Sequence, residues 1–321
     1  MLMGVWKLRF SMAGTLAIII GLSTLFFTVV LSLLEVFNLI TLGILVVSIN
    51  IVQWLASPYL IKALYRAREL PLDENPQLHA MVENLSEKTG IKKPKLMIAQ
   101  IPIPNAFAYG SPLAGNHVAV TDGLLKTLDS GEVEAVIGHE LGHLRHKDVQ
   151  TMMFVSMLPS LLYYAGYSLM WSTRGNRREG SGDLAMISIV FMAFSWILTL
   201  LLLNLSRVRE YYADIHSAEI VDNGSGKLST GLVKIVQATK NIRRTKSETK
   251  AQSAFKALFI ADPDHANIDA AEIGRMQPIL GEQKMVQEII THKLTTTEKL
   301  AEILSTHPNI TKRLKALQEL D

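Results

Sequence analysis

Long runs without a single charge limit this chain more than any other feature. Phe10 to Leu34 and Val36 to Ile61 contain no Asp, Glu, Lys or Arg. Each exceeds the roughly 20 residues that a helix needs to cross a ~30 Å hydrocarbon layer. Helices in soluble proteins average about 11–12 residues, so a pair of buried core helices explains these runs less well than a pair of membrane helices. Lys7 and Arg9 precede the first run, Lys62, Arg66 and Arg68 follow the second, and the connector from Glu35 to Asn38 has no basic residue. Basic flanks stay on the cytoplasmic side, which places the N-terminus and the chain beyond Arg66 there. The first run is longer than the apolar core of a cleaved signal peptide and lacks a small-residue cleavage site, so it reads as retained. Pro58 marks a kink or a helix end.

Val149 to Thr173 and Leu184 to Ser206 are also charge-free and long enough to span. Their connector, "RGNRREGSGD", holds Arg174, Arg177 and Arg178. Two full crossings would put those arginines outside, against the charge rule. The pair is expected to be a membrane-embedded hairpin that either crosses or dips in. A mean hydropathy of +0.23 and only 19% charged residues agree with a membrane protein. A net charge of +3, with no basic block interleaved with aromatics, gives no reason to expect nucleic acid. No glycine-rich phosphate loop suggests a nucleotide. With no cysteine, disulfides, thiolate metal sites and a cysteine nucleophile are excluded.

Between these runs the chain reads as globular. "PLDENPQLHAMVENLSEKTGI" (71–91) predicts an amphipathic helix with Leu78, Met81, Val82 and Leu85 on one stripe. Residues 94–100, 105–110 and 117–123 predict short strands. "SGEVEAVIGHELGHLRHKD" predicts a helix with Ser130 as N-cap and Glu132 in its first turn, and the chain beyond Ser206 reads as mainly helical. The fold class is therefore mainly α with a small β-sheet. The expected organisation is two transmembrane helices in 1–65, a first part of a catalytic domain in 66–148, the hydrophobic hairpin in 149–206, and the second part of the domain in 207–321.

Chemistry concentrates in "HELGH". His139 and His143 lie four apart, so on a helix they share a face and can bind one ion. Glu140 can take a proton from water held by that ion. A third histidine ten residues after the first would fall at 149, which is Val149. The other source is a carboxylate on a separate helix. In "SRVREYYADIHSAEI" (206–220), Glu210 and Asp214 share a face, Glu210 as ligand and Asp214 as acceptor for a ligating imidazole. Glu219 competes as third ligand, and His146 reads as an interfacial or outer residue. Three protein ligands leave a position for water, as in catalytic zinc sites, whereas closed structural sites use four. His307, Arg313 and Arg209 are the candidate donors to a transition-state oxyanion. Asn105, Ala106, Phe107 and Ala108 form the candidate strand edge for a peptide substrate.

"HELGH" followed by a hydrophobic pair and "SRxREYxAD" resembles the HtpX-type membrane zinc endopeptidases, gluzincins related to the CAAX prenyl endopeptidases. "NAFAYG" resembles the family's strand ahead of the zinc helix, and "THPNITKRLKAL" (306–317) its C-terminal His-Pro…Arg helix. The resemblance implies a zincin-like cytoplasmic catalytic domain and one Zn²⁺ held by His139, His143 and Glu210. It also implies Glu140 as general base and Asp214 behind the ligands. Its expected partners are the lipid bilayer and membrane-protein or polypeptide substrates, self-cleavage included, in quality control at the cell membrane.

The site must also lie close to the membrane. Val149 is six residues past His143, about 9 Å along a continuous helix, and Glu210 is four residues past Ser206. Both ends of 149–206 reach one ion, so the segment crosses twice or not at all. Two other readings differ in class. A non-enzymatic transporter or scaffold would be expected to carry polar or ionisable groups mid-membrane, and these runs contain only scattered polar residues such as Ser, Thr, Asn50 and Gln53, which weakens that reading. A prenyl-protein endopeptidase shares the chemistry, but the eukaryotic members of that family have more spans than four segments allow. Residues 241–268 read as polar connections or a gating loop.

Overall fold

The computed structural model describes residues 39–175, 181–245, 282–291 and 294–320. The first apolar run, Arg177 and Arg178 of the hairpin connector, and 246–268 of the polar stretch lie outside them. The described chain is mostly helical with one small mixed sheet. It divides into two compact units, one within Met1–Trp54 and Thr151–Leu203, the other within Leu55–Gln150 and Asn204–Asp321.

The apolar runs form long helices. Helix α1 is Leu39–Leu64 and continues through Pro58. Within Gly43–Leu64 and Ala185–Ile220 the chain is long and apolar enough to cross a membrane, yet only 12% and 11% of an apolar 18-residue segment in each is buried. Side chains such as Ile44, Val52, Phe194, Trp196 and Leu201 are exposed. A soluble core helix would bury its apolar face against protein, so these surfaces are suited to lipid. In the first unit, Ser195 Oγ donates to the carbonyl of Pro159 at 2.7 Å.

The second unit is built on strands β1 (Arg68–Glu69), β2 (Lys95–Ala99), β3 (Ala106–Ser111) and β4 (Gly115–Thr121). Their spatial order is β1-β2-β4-β3. Strands β2 and β4 are parallel, while β1 and β3 are antiparallel to their neighbours. Strand periodicity sends alternate residues to opposite faces. Leu96, Ile98, Ala106, Val118 and Val120 face the main core, and Met97, Ala99, Phe107, Tyr109 and Ala119 join Ile61 and Tyr65 in a second cluster.

Helices cover the main core. Helix α2, Pro76–Thr89, starts at Asn75, whose side chain accepts from Leu78 N, and stops at Gly90 in the left-handed region. After the short α3, Asp122–Thr127, comes α4, Ser130–Arg145. Its N-cap is Asp129 rather than the expected Ser130, because Asp129 and Glu132 form a reciprocal capping box. Helices α5 (Asp148–Gly175), α6 (Ser181–Ile220), α7 (Gly224–Thr245), α8 (Glu282–Thr291), α9 (Thr296–Ile303) and α10 (Ile310–Gln318) follow. The expected continuous helix from His143 to Val149 is absent. Helix α4 ends at Arg145, Lys147 turns the chain at φ 55, and α5 begins at Asp148.

Glycine sets how closely α4 approaches the part of α6 that packs on it. A Cβ at Gly142 would lie 3.1 Å from Ala213 Cα and 3.2 Å from His216 Cβ, and one at Gly138 3.2 Å from Ser217 Oγ. Ser217 Oγ in turn donates to the carbonyl of Ala135 at 2.6 Å. Replacing Gly142 by Ala must push backbone against backbone, and overpacking of this kind costs roughly 1–3 kcal/mol. Gly142→Ala should therefore lower the thermal midpoint of the detergent-solubilised protein. Gly231→Ala on α7, where the nearest atom is an ordinary 3.6 Å away, should leave it unchanged or raise it.

Candidate metal centre

The local fold explains why these side chains converge. Helical spacing puts His139 and His143 on one face of α4, and the glycine contacts bring α6 within reach. His139 Nε2 lies 3.7 Å from Glu210 Oε2, and His143 Nε2 lies 3.4 Å from Glu210 Oε1. One ligand atom from each of the three residues falls within 4.8 Å of the others. Tetrahedral coordination with bonds of about 2.0–2.2 Å puts neighbouring ligand atoms roughly 3.4 Å apart, so the cluster needs little contraction to hold an ion.

Both imidazoles are oriented from behind. His139 Nδ1 is 2.9 Å from Asp214 Oδ1, and His143 Nδ1 is 2.6 Å from Asp148 Oδ2. An Nδ1–H held by a carboxylate leaves the Nε2 lone pair for a metal. Each of those carboxylates has its own cation. Arg313 donates to Asp214 from Nε at 2.9 Å and from Nη2 at 2.6 Å, and Arg209 pairs with Asp148. Sequence reasoning missed Asp148. It stands five residues after His143, off the helical face, and only the turn at Lys147 returns it. The rule that every ligating imidazole has an acceptor was the available signal.

Charge accounting points to the same occupant. Asp148 is paired with Arg209, and Arg313 serves both Asp214 and Glu210, with Nη1 3.4 Å from Glu210 Oε2, while Glu140, buried at 4% exposure, has no guanidinium beside it among the described residues. Glu140, Glu210 and Asp214 thus share a single guanidinium, and a divalent cation would offset the remaining buried negative charge. Burial pushes the Glu140 carboxyl above its ordinary range, against the pull of the two imidazoles and the Ala108 N–H. Burial opposes charge on His143, but Asp148 and Glu210 outweigh it and bring its pKa up to about 10 when no ion competes. Asp214 and Glu210 likewise raise His139 against burial.

Glu140 meets the sheet directly: Ala108 N donates to Glu140 Oε2 at 2.8 Å. Strand β3 is at the end of the sheet order and pairs with β4. Antiparallel alternation turns the backbone groups of Ala106, Ala108 and Gly110 away from β4. The side chains of Asn105, Ala106 and Phe107 are buried, with Phe107 4.8 Å from the Tyr65 ring. Ala108 is half-buried, so the edge presents mainly backbone.

The remaining candidates separate clearly. His307 Nδ1 sits 3.2 Å from Glu210 Oε2, and His307 Nε2 is buried with no hydrogen-bond partner among the described residues. Arg209 stands on Asp148, and Arg313 stands on Asp214 with its Nη1 3.4 Å from Glu210 Oε2. Glu219 is exposed on α6 and is not among the clustered groups. His146 is the C-cap of α4, with its ring 6.1 Å from those of Tyr212 and His216.

One buried and one half-buried imidazole with a buried carboxylate, and a second carboxylate anchored to a sheet edge, is the equipment of a metal-dependent peptide hydrolase. Comparison with known proteins agrees. The model of peptidase family M48 matches residues 72–321. The protease HtpX homolog of Thermoplasma acidophilum is 39% identical over 277 residues, covering 84% of this chain and 82% of that protein. That of Aeropyrum pernix is 36% identical over 87% and 85%, and that of Pyrobaculum calidifontis 36% identical over 97% and 89%. The crystal structure of S. mikatae Ste24p shares the fold, with a TM-score of 0.59 at 18% identity over 98% of this chain and 67% of that one. The chain belongs to peptidase family M48. It is a membrane-associated metalloendopeptidase.

Protons compete with a metal for His139 and His143. The apparent affinity for Zn²⁺ should therefore fall as pH drops from 8 to 6, with protons released on binding, as calorimetry in buffers of different ionisation enthalpy can measure. Asp148→Ala should weaken the metal by roughly 10–100-fold in a chelator competition.

Proposed function

We propose that this chain is a zinc-dependent endopeptidase that cleaves membrane proteins and unfolded polypeptides at the cytoplasmic face of a cell membrane, as a quality-control protease. The observation that carries this reading is the bond from Ala108 N to Glu140. It ties the base to the strand that would hold the substrate, beside His139, His143 and Glu210.

In this mechanism His139, His143 and Glu210 hold the zinc ion. When bound, it supplies Lewis acidity toward the peptide carbonyl and lowers the pKa of water. A substrate strand adds to β3 through the outward backbone of Ala106 and Gly110, which places its scissile carbonyl next to the ligand cluster. Oε2 of Glu140 is engaged by Ala108 N, so Oε1 is the oxygen that accepts the proton of the attacking water and returns it to the leaving amine. Burial raises the affinity of Glu140 for that proton. His307, with Nδ1 3.2 Å from Glu210 Oε2, is the candidate donor to the oxyanion through Nε2. Asp214 and Asp148 hold the ligand tautomers, and Arg313 and Arg209 hold Asp214 and Asp148.

Location rests on charge and topology. Lys62, Arg66 and Arg68 at the end of α1 favour the cytoplasmic side. His143 and Glu210 meet, so the apolar stretch between Val149 and Ser206 enters and leaves the membrane on one side. A multi-pass, zincin-like arrangement follows, whose substrates are polypeptides reaching the inner membrane surface.

Glu140→Gln preserves shape and removes the base. Its zinc content should equal that of the parent, while cleavage of a detergent-unfolded membrane protein should drop by roughly 10²–10⁴-fold. Equal cleavage by both proteins would end the proteolytic reading.

A further inference from the structure

The mechanism leaves one arginine of the "SRVREY" segment without a task. Arg207 is half-buried on α6, and its Nη1 donates to three carbonyls of another part of the chain. These are Glu302 at 2.8 Å, Ile303 at 3.1 Å and Ser305 at 2.8 Å. They belong to the last turn of α9 and the residues after it, where helix carbonyls lack intrahelical partners and the helix dipole is negative. Its Nη2 donates to Asn204 Oδ1 at 3.2 Å, which steadies the guanidinium on its own helix.

The next contacts lead toward the metal cluster. Ser305, whose carbonyl Arg207 holds, accepts from His307 N through Oγ at 3.1 Å. Pro308 restricts the backbone of His307 to extended conformations. Asn309 caps α10 by accepting from Thr311 N at 2.8 Å, and Glu302 Oε1 accepts from Asn309 N at 3.4 Å. On α6, Arg207, Glu210 and Asp214 follow at i, i+3 and i+7 and share one face. Each meets the 302–313 segment: Arg207 at the end of α9, Glu210 at His307, and Asp214 at Arg313. His307 is thus suspended between two arginine contacts, and only Arg313 belongs to the arrangement behind the ligands.

We infer that Arg207 is a positioning residue for His307. By holding the carbonyl end of α9 it fixes the His307 ring against Glu210. Arg207 touches neither metal ligand nor substrate, and its contribution passes through the loop. This inference rests on the role given to His307 under the proposed function.

A double-mutant cycle with full-length protein and a fluorogenic peptide tests it. His307→Ala should reduce kcat by roughly 10²-fold with zinc content unchanged. Arg207→Ala should reduce kcat by roughly tenfold or more, since small misplacements of a reacting group are costly, again with full zinc content. In the His307→Ala background the same Arg207 change should cost nothing further, because an effect transmitted through an absent ring disappears. Arg207→Lys, whose ammonium can still reach a carbonyl, should recover part of the loss and serves for the cycle if the alanine variant does not fold. Multiplying losses, or zinc lost from the Arg207 variants, would overturn the inference. His307→Ala with full activity would instead overturn the role of His307, a different and recognisable result.

Discussion

Everything at the metal centre depends on how near α4 and α6 come to one another. Two histidines on one helix supply only half of a tetrahedral set, and the carboxylate must cross from a helix that is remote in sequence. A helix pair with ordinary side chains at its contact keeps its axes about 8–10 Å apart. Here Gly138 and Gly142 face Ser217, Ala213 and His216, so Glu210 reaches both Nε2 atoms without leaving its own helix. The hydrogen bond from Ser217 to the Ala135 carbonyl sets the axial position as well as the distance. One turn of slip along α6 would present Asp214 or Arg207 where Glu210 now stands.

Around that contact, Arg209 and Arg313 hold carboxylates, Asp148 and Asp214, that lie outside the His139–His143–Glu210 cluster. Burying a charge pair gains little stability by itself and is strongly destabilising when one partner is lost. The gain lies in orientation, because a bidentate guanidinium fixes the plane of its carboxylate and the carboxylate then fixes the imidazole tautomer. Arg313 reaches Asp214 from α10, almost a hundred residues away in sequence. Helix α10 thereby helps to orient the His139 ring through Asp214.

Sequence reasoning reached the centre where chemistry and periodicity coincide. Helical spacing grouped His139, Glu140 and His143, and the apolar runs foretold the long exposed helices. Alternating residues marked the strands of the sheet, although the two-residue β1 was too short to leave a pattern. What escaped was set by tertiary turns. Asp148 lies off the face of α4 and returns only because Lys147 adopts a positive φ, which nothing in a lysine foretells. Arg209 and Arg313 looked like donors for the reaction because both are cations near the motifs. Their roles depend on which carboxylate each one meets, and spacing does not determine that. Arg207 escaped for a related reason, since its partners in the 302–305 segment are backbone carbonyls and carry no side-chain signature.

The base raises a last physical point. A glutamate free to rotate beside two imidazoles would form an ion pair with either of them and lose its usefulness as a proton acceptor. Ala108 N prevents this by engaging one oxygen from the sheet side. The donor is backbone, so its position is set by the pairing of β3 with β4 rather than by a rotamer. Burial of Phe107 and Tyr109 in the cluster beneath keeps that strand from twisting away. In the proposed mechanism the strand that would align a substrate peptide is also the strand that would aim the base, and the distance between scissile bond and proton acceptor would be a property of the sheet edge. A peptide pairing out of register by one residue would turn its carbonyls the other way and would miss both groups.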